Sequence, residues 1–204
     1  MTKVKNIILD LGGVVIRLAT EEQWRKQLSD VIDFERYNDK KEDFLQFLLN
    51  FEKGNISNVE FLDVLYRHRK DEMIAMPQII NAWNSILKDY HPQTIQKLMA
   101  IKSKHRLFLL SNTNAIHEEA FVKISVEQYG RYILEDIFEK IYLSHQMGVR
   151  KPQREAYTMI LEQNSLLLED TLFIDDKVEN IESARSVGLQ VKLHPFNQFV
   201  GKSL

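Results

Sequence analysis

From Gln93 onward the chain alternates helical segments with strand-sized apolar runs, and that alternation leaves few folds open. The helical segments span residues 93–104, 115–129, 152–164 and 178–187; the apolar runs span 106–110, 140–143, 171–174 and 189–193. Strands separated by helices cannot pair as hairpins. They need crossovers, which give a parallel sheet, right-handed connections and helices on both faces. A run from Val4 to Asp10, closing on Gly12-Gly13, adds one more strand before a tight turn. The expected fold class is α/β, a doubly wound parallel sheet built from residues 1–17 and 90–204.

Residues 18–89 follow a different pattern. Trp24, Leu28, Val31 and Ile32, then Phe44, Leu45, Phe47, Leu48 and Leu49, then Phe61, Leu62, Leu65 and Tyr66 recur at helical spacing. Ser57 followed by Glu60 forms a capping box that opens the last of these segments. The block reads as all-helical, a small cap inserted after the first strand.

With 204 residues, 44% of them hydrophobic, the chain can bury a substantial core. A net charge of -2 creates no global basic field, so nucleic acid is not an expected partner. The absence of cysteine removes disulfides, thiolate nucleophiles and Cys-based zinc sites, and agrees with a reducing cytoplasm. The basic and then apolar start is cut by Asp10, too early for a signal peptide, and no apolar run approaches the roughly 18 residues of a membrane span. The expectation is a cytoplasmic protein with no membrane partner.

In open parallel sheets ligands gather at the carboxyl ends of the strands. Here those ends carry Asp10, then Ser111-Asn112-Thr113-Asn114, then Asp175-Asp176, with Arg150-Lys151-Pro152 ahead of a helix. Singly, each has a plain structural reading: Asp10 as a turn former, Ser111 to Asn114 as a helix cap, Arg150-Lys151 as a solvated loop. The adjacent acids Asp175 and Asp176 resist such a reading, because they repel each other unless a cation is near. Placed together, the four groups describe phosphoryl transfer. Oxygen ligands from Asp10, Asp175 and Asp176 suit Mg²⁺. Lys151 supplies positive charge, and Ser111 with backbone N–H groups near Asn112 supplies donors to phosphate oxygens. Asp10 is then the carboxylate nucleophile, forming an aspartyl-phosphate that water hydrolyses.

The ordered segments Asp10-Leu11-Gly12-Gly13-Val14, Leu110-Ser111-Asn112-Thr113, Lys151-Pro152 and Phe173-Ile174-Asp175-Asp176 resemble the four motifs of the haloacid dehalogenase superfamily. Further similarity, through His117, Ile141 to Ser144, Gly148 to Pro152 and Asn180-Ile181-Glu182, is to a bacterial group that includes α-D-glucose-1-phosphate phosphatase. The resemblance implies a Rossmann-like core with a helical cap, Mg²⁺, Asp10 as nucleophile, a metal contact from the Gly12 carbonyl, and a small phosphorylated metabolite such as a sugar 1-phosphate as substrate.

Position 12 departs from the pattern. Most phosphatases of the superfamily carry a second aspartate there as general acid and base, and this chain has Gly12. A placed proton donor is typically worth about 10² to 10⁴ in rate, so either turnover is slow, another group or water substitutes, or the leaving group needs little protonation, as the anomeric oxygen of a sugar 1-phosphate does. His117 and His145 are open to catalytic or structural readings, and Arg17, Trp24, Tyr37 and Trp83 to sugar contacts or core packing. Alternative activities are a metal-independent 2-haloacid dehalogenase and a weakly active phosphate-ligand sensor.

Overall fold

The computed structural model describes residues 4–34, 41–202 and 204, so Tyr37 lies outside the described residues. Strand β1 (Asn6–Leu9) is followed by a short β2 (Ile16–Leu18), by helices α1 (Glu21–Ser29), α2 (Lys41–Glu52), α3 (Asn58–Arg67) and α4 (Met76–Asn84), and by β3 (Leu87–Tyr90). Then come α5 (Pro92–Ile101), β4 (Arg106–Ser111), α6 (Ala115–Tyr129), α7 (Ile133–Ile137), β5 (Lys140–Leu143) and α8 (Ser144–Met147). The chain continues through α9 (Arg154–Gln163), β6 (Thr171–Asp175), α10 (Val178–Val187) and β7 (Gln190–Leu193).

The sheet runs β5-β4-β1-β6-β7 with every pairing parallel. Its first strand lies at the centre, and the chain winds outward on either side, as a doubly wound sheet must. The period-2 alternation of side chains decides what each face buries. Ile7 and Leu9 of β1, with Leu107 and Leu109 of β4, pack towards α5, α6 and α7 through Ile95, Leu98, Phe121 and Ile133. Ile8, Phe108, Leu110 and Phe173 point the other way, onto Tyr157 and Ile160 of α9 and Ile181 and Ala184 of α10. Each such fully buried side chain contributes about 1.5 to 3 kcal/mol of transfer free energy, which explains why the strands read as continuous apolar runs.

Helices α1 to α4 enclose their own aromatic centre. The Phe51 and Phe61 rings stack with centroids 3.8 Å apart, and Trp83 lies 4.7 Å from Phe61. The Ser57–Glu60 capping box is present, with Ser57 Oγ accepting from Glu60 N at 3.2 Å and Glu60 accepting from Ser57 N at 2.9 Å.

One expectation is corrected. The block from 18 to 89 is not helical to its ends, because Leu87–Tyr90 forms a strand that pairs antiparallel with Ile16–Leu18. The chain leaves and re-enters the sheet domain through this two-stranded ribbon.

Candidate active site

The carboxyl ends of β1, β4 and β6 open onto one cavity of about 370 Å³, walled on its far side by α1, α2 and α4. Asp10 follows β1 directly, and its backbone N–H donates to the Ile174 carbonyl at 2.9 Å, so the sheet ladder itself places it. Asp175 ends β6 and is fully buried. Between them stands Lys151, 1% exposed. Its ammonium donates to Asp10 Oδ1 at 2.5 Å, Asp175 Oδ2 at 2.7 Å and the Leu110 carbonyl at 2.8 Å. All three of its protons have acceptors, which an ammonium so deep requires.

The loop before α9 holds Lys151 in place through Asn112. The Asn112 carboxamide accepts from Lys151 N and donates to Lys151 O, both at 2.8 Å. Asn180, at the start of α10, donates to both oxygens of Asp175 at 3.0 Å, and Lys177 N donates to Asp175 Oδ1 at 2.8 Å. Ser111 is buried at the end of β4 and lines the cavity. The Asn114 side chain caps α6, accepting from His117 N at 2.9 Å.

Carboxylate oxygens of Asp10, Asp175 and Asp176 lie within 4.8 Å of one another. Burial pushes the Asp10 carboxyl up to about 7 and Asp176 up to about 6; Asp175 adds like charge at both, while the Lys151 ammonium pulls the other way. Burial opposes the charge on Lys151, but Asp10 and Asp175 outweigh it and raise the ammonium above its ordinary value. Three acids around one fully engaged lysine leave uncompensated negative charge. A hard divalent cation would relieve it, and the donor set is entirely oxygen. Gly12 also lines the cavity beside Asp10.

Both histidines are held by protein partners, and His117 also lines the cavity. Asn114 Nδ2 lies 3.1 Å from His117 Nδ1, and His117 Nε2 lies 3.2 Å from the Trp83 carbonyl, which makes Nε2 the protonated nitrogen of a neutral ring. That ring stacks on Trp83 with centroids 5.0 Å apart, and burial pushes it down to about 4. His145 Nε2 pairs with Glu118 at 2.9 Å. Arg17 pairs with Asp89 on the β2–β3 ribbon, and Trp24 and Trp83 line the cavity edge to face, 5.3 Å apart.

The sequence reading quoted Asn180 without a role and gave no sign that the Asn112 side chain pairs with the Lys151 backbone. The signal for Asn180 is a polar side chain one helical turn beyond paired acids, where it can turn back to them. No local signal ties Asn112 to a residue 39 positions away.

The haloacid dehalogenase-like hydrolase model matches residues 4–188. D-ribitol-5-phosphate phosphatase of Bacteroides thetaiotaomicron is 25% identical over 188 residues, covering 92% of this chain and 90% of that protein. A crystal structure of a haloacid dehalogenase family enzyme from the same organism, complexed with magnesium and inorganic phosphate, superposes with a TM-score of 0.82 at 31% identity over 96% of each chain. A 2-haloacid dehalogenase from Pseudomonas syringae pv. Tomato shares the fold alone, with a TM-score of 0.61 at 16% identity over 94% of this chain and 86% of that one. With the match running from before β1 to the end of α10, the chain belongs to the haloacid dehalogenase-like hydrolase family.

Proposed function

We propose that this chain is a Mg²⁺-dependent phosphatase of small phosphate monoesters with Asp10 as nucleophile. The observation that carries the reading is the Lys151 ammonium bridging Asp10 and Asp175 at the floor of the cavity, within a cluster of three carboxylates. Asp10, Asp175 and Asp176, with the Gly12 carbonyl, would hold Mg²⁺, which supplies positive charge to the phosphate oxygens when bound. Lys151 orients the Asp10 carboxylate by binding one of its oxygens. Ser111 and the N–H of Asn112 offer hydrogen bonds to the phosphoryl oxygens. Asn112 contributes a second time by holding the Lys151 backbone, and the helical block from 18 to 89 serves as the cap that shields the reaction from water.

In the reaction an Asp10 carboxylate oxygen bonds to phosphorus as the ester P–O bond breaks, and the leaving oxygen keeps the bonding pair and takes a proton from water. Water then hydrolyses the aspartyl-phosphate, returning the carboxylate and inorganic phosphate. The metal-free dehalogenase reading loses support from the three clustered acids, which beside an anionic substrate call for a cation. A sugar phosphate is the expectation from the resemblance. The names of two relatives, the D-ribitol-5-phosphate phosphatase and a phosphorylated carbohydrates phosphatase of Thermotoga maritima, add support, the latter 28% identical over 53% of this chain and 47% of that protein.

Among the described residues no helix is long and apolar enough to cross a membrane, in keeping with a dissolved small-molecule substrate. The test is phosphate release from a panel of phosphate esters with and without Mg²⁺. Turnover should stop on chelation, and Asp10→Asn should remove it with the fold intact. Turnover indifferent to EDTA would exclude the metal, and full turnover by Asp10→Asn would exclude covalent catalysis.

A further inference from the structure

Helix α2 turns Leu45, Leu48 and Leu49 towards the cavity at i, i+3 and i+4 spacing, one face of the helix. Leu48 also packs against the cap's own aromatic core. Leu45 is 52% exposed and Leu48 and Leu49 are only half-buried, whereas Phe51, Phe61 and Leu65 are buried. Trp24 and Trp83 complete the wall. Among the described residues of the cap that line the cavity, Glu52 alone is ionisable, and Arg150 Nε holds it at 2.7 Å. A polyol pressed against this wall would bury hydroxyls without partners, which disfavours binding. An apolar ring would gain contact instead.

A second observation concerns the departing oxygen. Position 12 has no side chain, the ring nitrogens of His117 are engaged by Asn114 and Trp83, and Glu52 is ion-paired. Outside the Asp10, Asp175 and Asp176 cluster, a leaving group here departs without a placed carboxylic or imidazole acid. A phenolic oxygen, with a pKa of about 10 as in tyrosine, leaves as the anion far more readily than an alcohol, whose pKa lies nearer that of water at about 16.

We infer that the substrate class of this site is an aryl phosphate rather than the sugar phosphate suggested by the relatives' names, its ring seated against the α2 leucines and the two tryptophans. This rests on the phosphatase reading above. Asp10 bonds to phosphorus, the P–O(aryl) bond breaks with its electron pair on the phenolate, and the phenolate takes a proton from water. A second water hydrolyses the aspartyl-phosphate. A cavity of about 370 Å³ accommodates one ring and a phosphate.

The test compares kcat/KM, with Mg²⁺, for phenyl phosphate, cyclohexyl phosphate, α-D-glucose 1-phosphate and acetyl phosphate. Cyclohexyl phosphate keeps the apolar ring and loses the acidic leaving group; acetyl phosphate reports the phosphoryl-transfer machinery with almost no leaving-group contact. Phenyl phosphate should exceed both cyclohexyl phosphate and glucose 1-phosphate by about tenfold or more. In Leu45→Gln/Leu49→Gln, phenyl phosphate turnover relative to acetyl phosphate should fall about tenfold, in the range expected for losing apolar pocket contact. Leu45→Gln alone, at the exposed position, should show a smaller fall in the same ratio should the double variant not fold. Glucose 1-phosphate outperforming phenyl phosphate, or a ratio unmoved by the leucine changes, would overturn the aryl class while acetyl phosphate turnover upheld the phosphatase reading. No turnover of acetyl phosphate or of any ester would overturn both.

Discussion

A Cβ placed on Gly12 would stand 2.9 Å from Leu18 Cδ1, so Leu18 occupies the space that a side chain at position 12 would enter. The missing acid and the apolar wall are therefore one arrangement: β2 carries Leu18 back over the nucleophile loop and fills with methyl groups what an aspartate would fill with a carboxyl.

The obstruction is the end of a flexible side chain rather than backbone, which makes it testable. Gly12→Asp combined with Leu18→Ala should raise kcat on alkyl phosphates by about 10²-fold to 10⁴-fold, the range a placed general acid supplies, and leave phenyl phosphate turnover little changed. Gly12→Asp alone should gain less, because its carboxyl must compete with Leu18 for space. Steady-state rates on cyclohexyl and phenyl phosphate decide it; equal effects on both would mean that proton donation does not limit the alkyl ester.

The cluster around Asp10 should cost the metal-free protein stability. Burial and the like charges of Asp175 and Asp176 work against an ionised Asp10, whose carboxyl is pushed up to about 7. Asparagine can still accept from Lys151 while removing one charge. In chelator, Asp10→Asn should melt about 2 to 5 °C above the wild type, as expected for relief of about 1 kcal/mol or a little more in a domain of this size. Mg²⁺ should raise the wild-type melting temperature more than that of the variant. A lower melting temperature for Asp10→Asn in chelator would show that the Lys151 pairing outweighs the repulsion.

How much of this was readable from residues alone varies with how local the cause is. Helices α6 (Ala115–Tyr129) and α10 (Val178–Val187) match the sequence reading to the residue, because their ends are set by neighbours in the chain, Asn114 capping the first and glycines closing both. The strand ends likewise announced Asp10, Ser111, Asp175 and Asp176 as members of one crevice, since the α/β alternation dictates where they gather. The β2–β3 ribbon was not readable. Ile16–Leu18 and Leu87–Tyr90 are too short to show a period, and their pairing depends on a contact across about 70 positions. Nor could spacing distinguish Leu45 and Leu49 from core leucines such as Leu65. Both follow helical periodicity, and only the docking of α2 beside the cavity decides which face meets solvent.

His117 should make the protein acid-sensitive. Burial between Trp83 and Asn114, both uncharged, pushes it from 6.5 down to about 4. Between those values the unfolded chain binds a proton that the folded protein excludes, so stability is complete above pH 6.5 and is lost as the pH falls towards 4. The loss amounts to about 2 to 3 kcal/mol. Urea unfolding at pH 7 and pH 4.5 should show a smaller difference in His117→Gln than in the wild type by about that amount, and an unchanged difference would assign the acid sensitivity to other groups.

The turn after α2 meets the sheet domain at Gly54. Its φ of +74° lies in the left-handed region, and a Cβ there would sit 2.1 Å from the backbone carbonyl oxygen of His145 on α8. Backbone cannot rotate away as a side chain does, so an alanine must push the turn off α8. The Glu52–Arg150 ion pair, at 2.7 Å, lies two residues before this turn and joins the cap to the loop that carries Lys151. Gly54→Ala should therefore act in two ways. It should destabilise the fold by about 1 to 3 kcal/mol through the disfavoured left-handed conformation and the contact. It should also raise KM for esters with a large leaving group several-fold by tilting the α2 wall, while acetyl phosphate, which barely reaches that wall, should show a smaller change. Thermal melts and paired KM measurements separate the two effects. A stability loss with the two substrates affected equally would mean that the turn supports the fold without placing α2 over the cavity.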